Sequence, residues 1–358
     1  MNLQSAFILI LAAAGISGTA FAQLKKANRH FKNQEFATAI PLYKEALAKD
    51  SSAVAMENLA SCYRELQLHK DAEYWYGRVV KKGIGLPATR LYYGQELRAN
   101  GKYEDAKKQL QEYLKAVPNN TKAAKLIKAC DYAMEVSKGT SEFSADPVNK
   151  LNTRNSEMAP VRYKKGISFT SSREGLETKK FDKYTGQPFY DVYYADINAQ
   201  NEFKTPQPFP PVINDKYHDG PASFDSTGRK VYFTRSLQKK GNSDLMHSIP
   251  MILGIYFSEF DGAEWSKPKA FAFNSKSYSV GHPCLLAGGK EMVFVSDMPG
   301  GYGGTDLYIT RMTADGWSTP TNLGPVINTE GNEMFPSIGS DGTLYFASDL
   351  HPGLGGLD

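Results

Sequence analysis

The sequence predicts a multidomain α plus β protein, in which a helical repeat precedes a second repeat made of short strands. Up to about residue 137, apolar residues recur at three- and four-residue spacing, which is typical of helices. Beyond that point, short runs rich in Val, Ile, Tyr, Phe and Thr alternate with Gly, Pro, Asn and Asp, which is strand-and-turn composition. The 358 residues, 41% of them hydrophobic, are sufficient for two packed domains.

Residues 1–22 predict an export signal. An apolar run from Phe7 to Ala14 precedes Ala20-Phe21-Ala22, the small-x-small pattern that signal peptidase cleaves. No Lys or Arg precedes the run, and the alternative is a buried N-terminal helix. Because Gln23, and not a cysteine, follows the cleavage site, lipid anchoring by the bacterial lipoprotein route is not indicated. No later stretch approaches the ~20 apolar residues of a membrane span. We therefore expect an exported mature chain without a transmembrane span.

Charge and cysteine content narrow the classes of partner and chemistry. The net charge of +4 arises from 42 basic and 38 acidic residues without a block of like charge, so nucleic acid is not predicted as a partner. Cys62, Cys130 and Cys284 are too few and too scattered for a disulfide framework, and we expect buried thiols.

The helical part, residues 23–137, contains three units of similar sequence. Ala39, Ala72 and Ala106 are 33 and 34 residues apart, and the last unit closes with Pro118. A small residue permits two helices to cross closely, and the aromatic residue three positions earlier in two units fills the space beside it. This pattern resembles the tetratricopeptide repeat. Three units, about 20–120, followed by the capping helix "TKAAKLIKACDYAMEV", meet the requirement for several stacked repeats.

A tetratricopeptide stack binds peptides or other proteins on its concave face, which is lined by the first helix of each unit. The alternative is that these polar positions are simply solvated, as on any surface helix. By repeat position, the predicted concave-face residues are Asn28, Glu57, Ser61, Arg64, Gln95 and Arg98.

The second part begins with a predicted linker and first strand in 138–150 and continues through 151–358. Its units align on a proline, and the spacings between these prolines are 61, 62 and 53 residues. After each proline we expect a buried strand, such as "KVYFTRS" or "EMVFVSD", then a loop, a third strand, a turn and a fourth strand that carries an aromatic residue. The aligned prolines are Pro160, Pro221, Pro283 and Pro336.

Four antiparallel strands repeated every 50 to 60 residues predict the blades of a β-propeller. Three units are complete, and the fourth reaches only the start of its third strand, which gives about three and a half blades. Propellers have 4 to 8 blades and close into a ring, because an open ring leaves bare strand edges. We therefore expect the sequence to be a fragment whose further blades follow downstream.

Two loops share one motif: "SDMPGGYGGTD" at 296–306 and "SDLHPGLGGLD" at 348–358. A phosphate loop would require a following helix, but here a strand follows the first copy. Calcium binding is a second interpretation of the paired carboxylates. We favour a structural one, in which Asp accepts backbone N–H groups of the turn. The four aspartates are Asp297, Asp306, Asp349 and Asp358.

The sequence contains no HExxH metal motif and no G-x-S-x-G nucleophile elbow. We therefore predict no catalytic residues, no metal and no cofactor.

The combination of an export signal, tetratricopeptide repeats and blades marked "FVSDMPGGYGGTDLYIT" and "YFASDLHPGLGGLD" resembles the large OmpA-family envelope proteins of the Bacteroidota. In those proteins a WD40-like or TolB-like propeller follows the helical repeats, and a peptidoglycan-binding OmpA-like domain ends the chain. One branch is the peptidoglycan-anchoring subunit of the type IX secretion system. The resemblance implies a periplasmic, outer-membrane-associated scaffold whose partners are envelope or secretion proteins. Peptidoglycan binding would require a domain that is not in this sequence.

Two other functions are compatible with the residues. The propeller belongs, in one alternative, to a prolyl-oligopeptidase-like hydrolase, and a downstream G-x-S-x-G would indicate this. In the other, the propeller axis carries a site for a small ligand or glycan.

Overall fold

The computed structural model describes residues 18–49, 51–139, 144–174, 181–215, 217–237, 251–286 and 288–358. Most of the predicted export signal, residues 1–17, lies outside these ranges, and residues 18–22 form the first turns of α1. The helices are α1 (Gly18–Lys32), α2 (Phe36–Leu47), α3 (Ala53–Glu65), α4 (His69–Lys81), α5 (Pro87–Ala99), α6 (Tyr103–Ala116) and α7 (Thr121–Val136).

Helices α1 to α6 form three antiparallel pairs, and α7 covers the last pair. The three repeat alanines, Ala39, Ala72 and Ala106, are completely buried. At the third crossing, a Cβ added to Gly94 would lie 2.8 Å from the Cγ of Leu110, so that only glycine permits this approach of α5 to α6. Small residues at the predicted positions therefore allow the helices to stack closely.

The β-part consists of four consecutive antiparallel blades. The strands of blades 1 and 2 lie in chain order from the inside outward, both outer strands of blade 3 pair with its third strand, and the described residues of blade 4 form two strands. The strands of blades 1 and 2 are β1 (Glu157–Tyr163), β2 (Gly166–Ser171), β3 (Asp191–Asp196), β4 (Gln207–Pro208), β5 (Asp219–Phe224), β6 (Lys230–Leu237), β7 (Ile252–Glu259) and β8 (Lys269–Ala270). Those of blades 3 and 4 are β9 (Val280–Leu285), β10 (Glu291–Ser296), β11 (Asp306–Thr313), β12 (Gly316–Trp317), β13 (Thr321–Asn322), β14 (Glu333–Ile338) and β15 (Leu344–Ser348).

Neighbouring blades share hydrophobic cores. Val192 of blade 1 packs with Val231 of blade 2, and Tyr232 of blade 2 packs with Phe294 of blade 3. The innermost strands β1, β5, β9 and β14 follow one another along the arc. The predicted fold class is thus confirmed: a helical repeat is followed by a partial β-propeller.

Two details differ from the sequence prediction. The described residues 144–150 form coil and a turn instead of a first strand, because the N–H groups of Leu151 and Asn152 both bond to the carbonyl of Val148. The fourth strands of blades 1 and 2 are also reduced: Phe203 and Trp265 form isolated bridges, and two-residue strands follow the adjacent prolines. Proline cannot donate a ladder hydrogen bond, which limits these outer strands.

Candidate protein-binding surface

The first helices of the three units, α1, α3 and α5, carry the predicted concave-face residues. On α1 and α3, the Oδ1 of Asn28 accepts hydrogen bonds from the hydroxyl of Tyr43 at 2.7 Å and from the amide of Asn58 at 3.3 Å. Glu57 accepts hydrogen bonds from the hydroxyl of Thr89 and, at 3.4 Å, from the N–H of Leu86. These two residues therefore connect neighbouring helices and offer few free polar atoms to a partner.

The middle of the face is formed by α3 and α5. The guanidinium of Arg64 lies 4.0 Å from the ring centroid of Tyr92, within the range of a cation–π contact, and it also pairs with Glu65. The Ser61 hydroxyl shares a 3.0 Å hydrogen bond with Tyr76. Gln95 is half-buried and forms no side-chain hydrogen bond within the described residues. Arg64, Tyr92 and Gln95 therefore place a cation, an aromatic ring and a side-chain amide in the middle of the concave face. We call these three residues the groove floor.

Arg98 departs from the prediction, because it does not face an open groove. Its side chain is 3% exposed, and its Nη2 donates a 3.1 Å hydrogen bond to the carbonyl of Asp349 in blade 4. Its Nε and Nη1 have no acceptor among the residues that the structure describes. The cause is tertiary: the loop after β15 covers the end of α5.

This loop docks through Leu350, which is 3% exposed and packs into the core of the helical domain beside Leu97, Leu110 and Leu126. The hydroxyl of Tyr103 donates a 2.9 Å hydrogen bond to the carbonyl of Leu354. A leucine from the propeller is therefore part of the hydrophobic core of the helical repeat.

Blade 1 docks on the same helical domain through Tyr184, in the loop between β2 and β3. Its ring lies edge-on to Phe36, with centroids 4.9 Å apart, and its carbonyl accepts a 3.2 Å hydrogen bond from the N–H of Ala37. Its hydroxyl lies 3.2 Å from the Oε2 of Glu65, and burial with this neighbouring carboxylate raises the pKa of the phenol. Loops of the first and fourth blades thus hold the helical stack at two points.

The four repeat prolines share one backbone setting. Each lies in the innermost strand of its blade, at a β-bulge where the register of pairing shifts. The residue before each proline has a positive φ: 50° at Ala159, 102° at Gly220, 47° at His282 and 52° at Phe335. A bulge tolerates a residue that cannot donate to the ladder, which explains proline at this place.

The paired aspartates accept hydrogen bonds from the backbone. Asp306 accepts from the N–H groups of Tyr302 at 2.6 Å and Gly303 at 3.2 Å, and Asp358 accepts from Gly355 at 2.7 Å. Asp297 binds the N–H of Ser279, and Asp349 binds that of Asn332. Within the described residues, no group of three or more metal-ligating side chains could hold an ion.

A repeated asparagine was missed by the sequence analysis. Asn214 accepts from the N–H of Val192 at 2.8 Å and donates to its carbonyl at 3.0 Å. Asn274 does the same with Ile255 at 2.8 and 2.7 Å, and Asn328 with Leu307 at 2.8 and 3.0 Å. Each side chain thus binds both the N–H and the C=O of one residue in the third strand of the preceding blade. The available signal was an apolar–Asn pair seven to nine residues before each proline.

Several buried groups have shifted pKa values without forming a reactive cluster. Burial raises the pKa of Asp191 to about 7, with a further contribution from the charge of Asp219. Burial lowers the pKa of His282 to about 4. The three thiols are buried and free, and burial raises the pKa of each, to about 12 at Cys62 and about 11 at Cys130 and Cys284.

The comparisons with known proteins concern mainly the helical part. Residues 24–87 match the tetratricopeptide repeat family. No curated protein matches the chain.

Solved structures match this chain over different shares of its length. The first TPR domain of Spaghetti (RPAP3), bound to an HSP90 peptide, is 27% identical and overlaps 33% of this chain and 95% of its own, with a TM-score of 0.30. The TPR-containing domain of a Plasmodium falciparum FK506-binding protein is 23% identical over 34% of this chain and 91% of its own, also with a TM-score of 0.30. An α-L-arabinofuranosidase from Lactobacillus brevis is 14% identical over 56% of this chain and 68% of its own, with a TM-score of 0.35.

Residues 24–87 thus contain tetratricopeptide repeats, and the helical part is followed by a partial β-propeller. Tetratricopeptide repeats indicate a scaffold for protein–protein interaction. Among the described residues, no helix is long and apolar enough to cross a bilayer.

Proposed function

We propose that this protein is a non-catalytic scaffold of the bacterial cell envelope, located in the periplasm and associated with the outer membrane. It binds other envelope proteins through its helical groove and is tethered to peptidoglycan by an OmpA-like domain outside residues 18–358. Type IX secretion is the envelope process in which such a scaffold serves.

The observation that carries this proposal is the rigid attachment of two repeat domains. Tyr184 and Leu350 fix the propeller to the helical stack. The middle of the concave face remains half-exposed, with Arg64 stacked on Tyr92 and with Gln95 beside them. An extended segment with a carboxylate or amide fits this floor, because a guanidinium and a side-chain amide supply donors above aromatic rings.

A pull-down with detergent-solubilised outer-membrane proteins tests the groove. The immobilised chain 23–358 is expected to retain a defined set of proteins. Arg64→Glu should reduce this retention at least tenfold, because it reverses the charge of the groove floor. Lys108→Glu is the matched control, since Lys108 lies on α6, a second helix of its unit, and pairs only with Asp105. Equal retention by both variants would contradict the groove as the binding site.

Two further assays test the envelope role and the absence of catalysis. The gene product from the source bacterium should sediment with peptidoglycan sacculi, whereas the chain 23–358 should not. If the gene product hydrolysed prolyl peptide substrates and a serine-directed inhibitor abolished this activity, the scaffold proposal would be wrong. The hydrolase alternative would then be favoured.

A further inference from the structure

An asparagine occurs at the same place in every blade, and in blade 1 its side chain has no hydrogen-bond partner among the residues that the structure describes. Asn214, Asn274 and Asn328 each belong to the turn that opens a blade, and each binds the third strand of the blade before it. The corresponding residue in blade 1 is Asn152, in the apolar–Asn pair Leu151-Asn152. Asn152 is exposed and has no side-chain partner among the described residues.

The turn around Asn152 already has the conformation of its counterparts. In blade 2, the N–H groups of Ile213 and Asn214 both bond to the carbonyl of Pro210, at 2.8 and 3.1 Å. In blade 1, Leu151 and Asn152 bond in the same way to Val148, at 2.8 and 3.0 Å. The side chain of Asn152 is therefore presented by the same backbone that presents a bound asparagine elsewhere.

The strands that receive these asparagines share a short sequence. The bound N–H and C=O groups belong in each case to an aliphatic residue followed by tyrosine: Val192-Tyr193, Ile255-Tyr256 and Leu307-Tyr308. An amide side chain can accept from the N–H and donate to the C=O of one residue, and backbone groups left unpaired at a blade boundary are costly.

The three third strands that the structure describes, β3, β7 and β11, are already bound in this way by asparagines of the same chain. A second copy would therefore have no equivalent strand to offer. The helical segment before blade 1 offers none either, since the described residues from 18 to 139 contain helices and turns but no strand.

We propose that Asn152 binds the third strand of a further blade of the same polypeptide, outside residues 18–358, at the N–H and C=O groups of an aliphatic residue followed by tyrosine. The further blade packs against the outer face of blade 1, where half-buried Ile167 and Phe203 border the cluster of Phe169 and Tyr193. This inference concerns ring closure of the propeller and does not depend on the proposed function.

Photo-crosslinking in the gene product tests this inference. Thr153→p-benzoylphenylalanine places the probe next to Asn152 without removing the asparagine. The expected product is an intramolecular crosslink to a peptide that contains an aliphatic–Tyr pair and is not found in residues 18–358. Ser275→p-benzoylphenylalanine, next to the bound Asn274, is the matched control and should crosslink to β7. The inference is wrong if the control reacts and the probe at 153 does not. It is also wrong if the probe at 153 reacts with a second copy or with another protein.

Thermal unfolding supplies an independent measurement. Asn152→Ala and Asn152→Asp should each lower the Tm of the gene product by several degrees, the effect also expected of Asn274→Ala, since neither alanine nor aspartate can donate to a carbonyl. In the chain 23–358, Asn152→Ala should leave the Tm unchanged, whereas Asn274→Ala should still lower it. An unchanged Tm for Asn152→Ala in the gene product would overturn the proposed contact.

Discussion

The loops of blades 3 and 4 share one sequence motif and similar hydrogen bonds, but they contact different domains. In both, a serine hydroxyl accepts from the residue two positions later, and the final aspartate accepts from an N–H of the glycine-rich turn. Leu350 of blade 4 is 3% exposed and lies in the core of the helical domain, whereas Met298, at the same motif position in blade 3, is half-buried against the core of the propeller. The motif determines how the turn folds, and the position of the blade in the arc determines what the turn contacts.

Replacement of the docking leucine should have the largest effect. Leu350→Ala removes a fully buried side chain between two domains and is expected to cost about 2–4 kcal/mol of unfolding free energy. Met298→Ala, at the same motif position in blade 3, is the matched control and should cost about half as much, because Met298 is half-buried within the propeller. Urea denaturation of the chain 23–358 measures both. Equal losses would show that the contact with the helical domain contributes little.

Replacement of the final aspartates of the two loops should differ in the opposite sense, with the larger loss of stability in blade 3. Asp306→Ala removes the acceptor for two backbone N–H groups and for Asn322 at a site 1% exposed, which should cost about 2–3 kcal/mol. Asp358→Ala removes the acceptor for Gly355 alone at an exposed position, so about 0.5–1 kcal/mol is expected. A larger loss at Asp358 would contradict the assigned hydrogen bonds.

Asp191 is the blade 1 counterpart, since it pairs with Ser171 as Asp306 pairs with Ser296. Its pKa is raised to about 7 and that of Asp219 to about 6, chiefly by burial, so the folded state binds more protons than the unfolded chain. The contribution of these two groups to stability should therefore be fully present below about pH 4 and be lost as pH rises through about 6 and 7.

Asp191→Asn should weaken this pH dependence and raise the unfolding free energy at pH 8 by about 1 kcal/mol. Denaturant titrations at several pH values measure the slope. Glu264→Gln, which removes an exposed carboxylate without a side-chain hydrogen bond in the described residues, is the control and should leave the slope unchanged. A stability that rises between pH 4 and 7 because of Asp191 would contradict the raised pKa.

The smallest effect is expected at the surface of the interface. Lys125 and Glu330 form a 2.7 Å ion pair across the two domains, but both side chains are nearly half exposed. Lys125→Ala should cost at most about 0.5 kcal/mol, and less at high salt. If this variant destabilised the protein as much as Leu350→Ala, electrostatic rather than apolar docking would hold the domains together.

Repetition made most of the fold predictable. The alanines at 33- and 34-residue spacing identified the helical units, and the prolines identified the four blades. The reduced fourth strands were not foreseen, since alternating composition does not reveal that proline shortens the pairing. The asparagines that form two hydrogen bonds to a neighbouring strand were also missed, although their apolar–Asn pairs recur. The reason is that an apolar–Asn pair is compatible with many kinds of turn.

The sequence by itself determined the local elements: helix pairs that need a small residue at their crossing, bulges that admit proline, and glycine-rich turns that an aspartate closes. These depend on contacts within a few residues or between adjacent strands. Only the tertiary structure decided that Arg98 is buried instead of facing a groove, and that Leu350 belongs to the core of another domain. Such contacts join residues about 250 positions apart. The packing around each blade decides which copy of a repeated loop forms them, and no local sequence pattern contains this information.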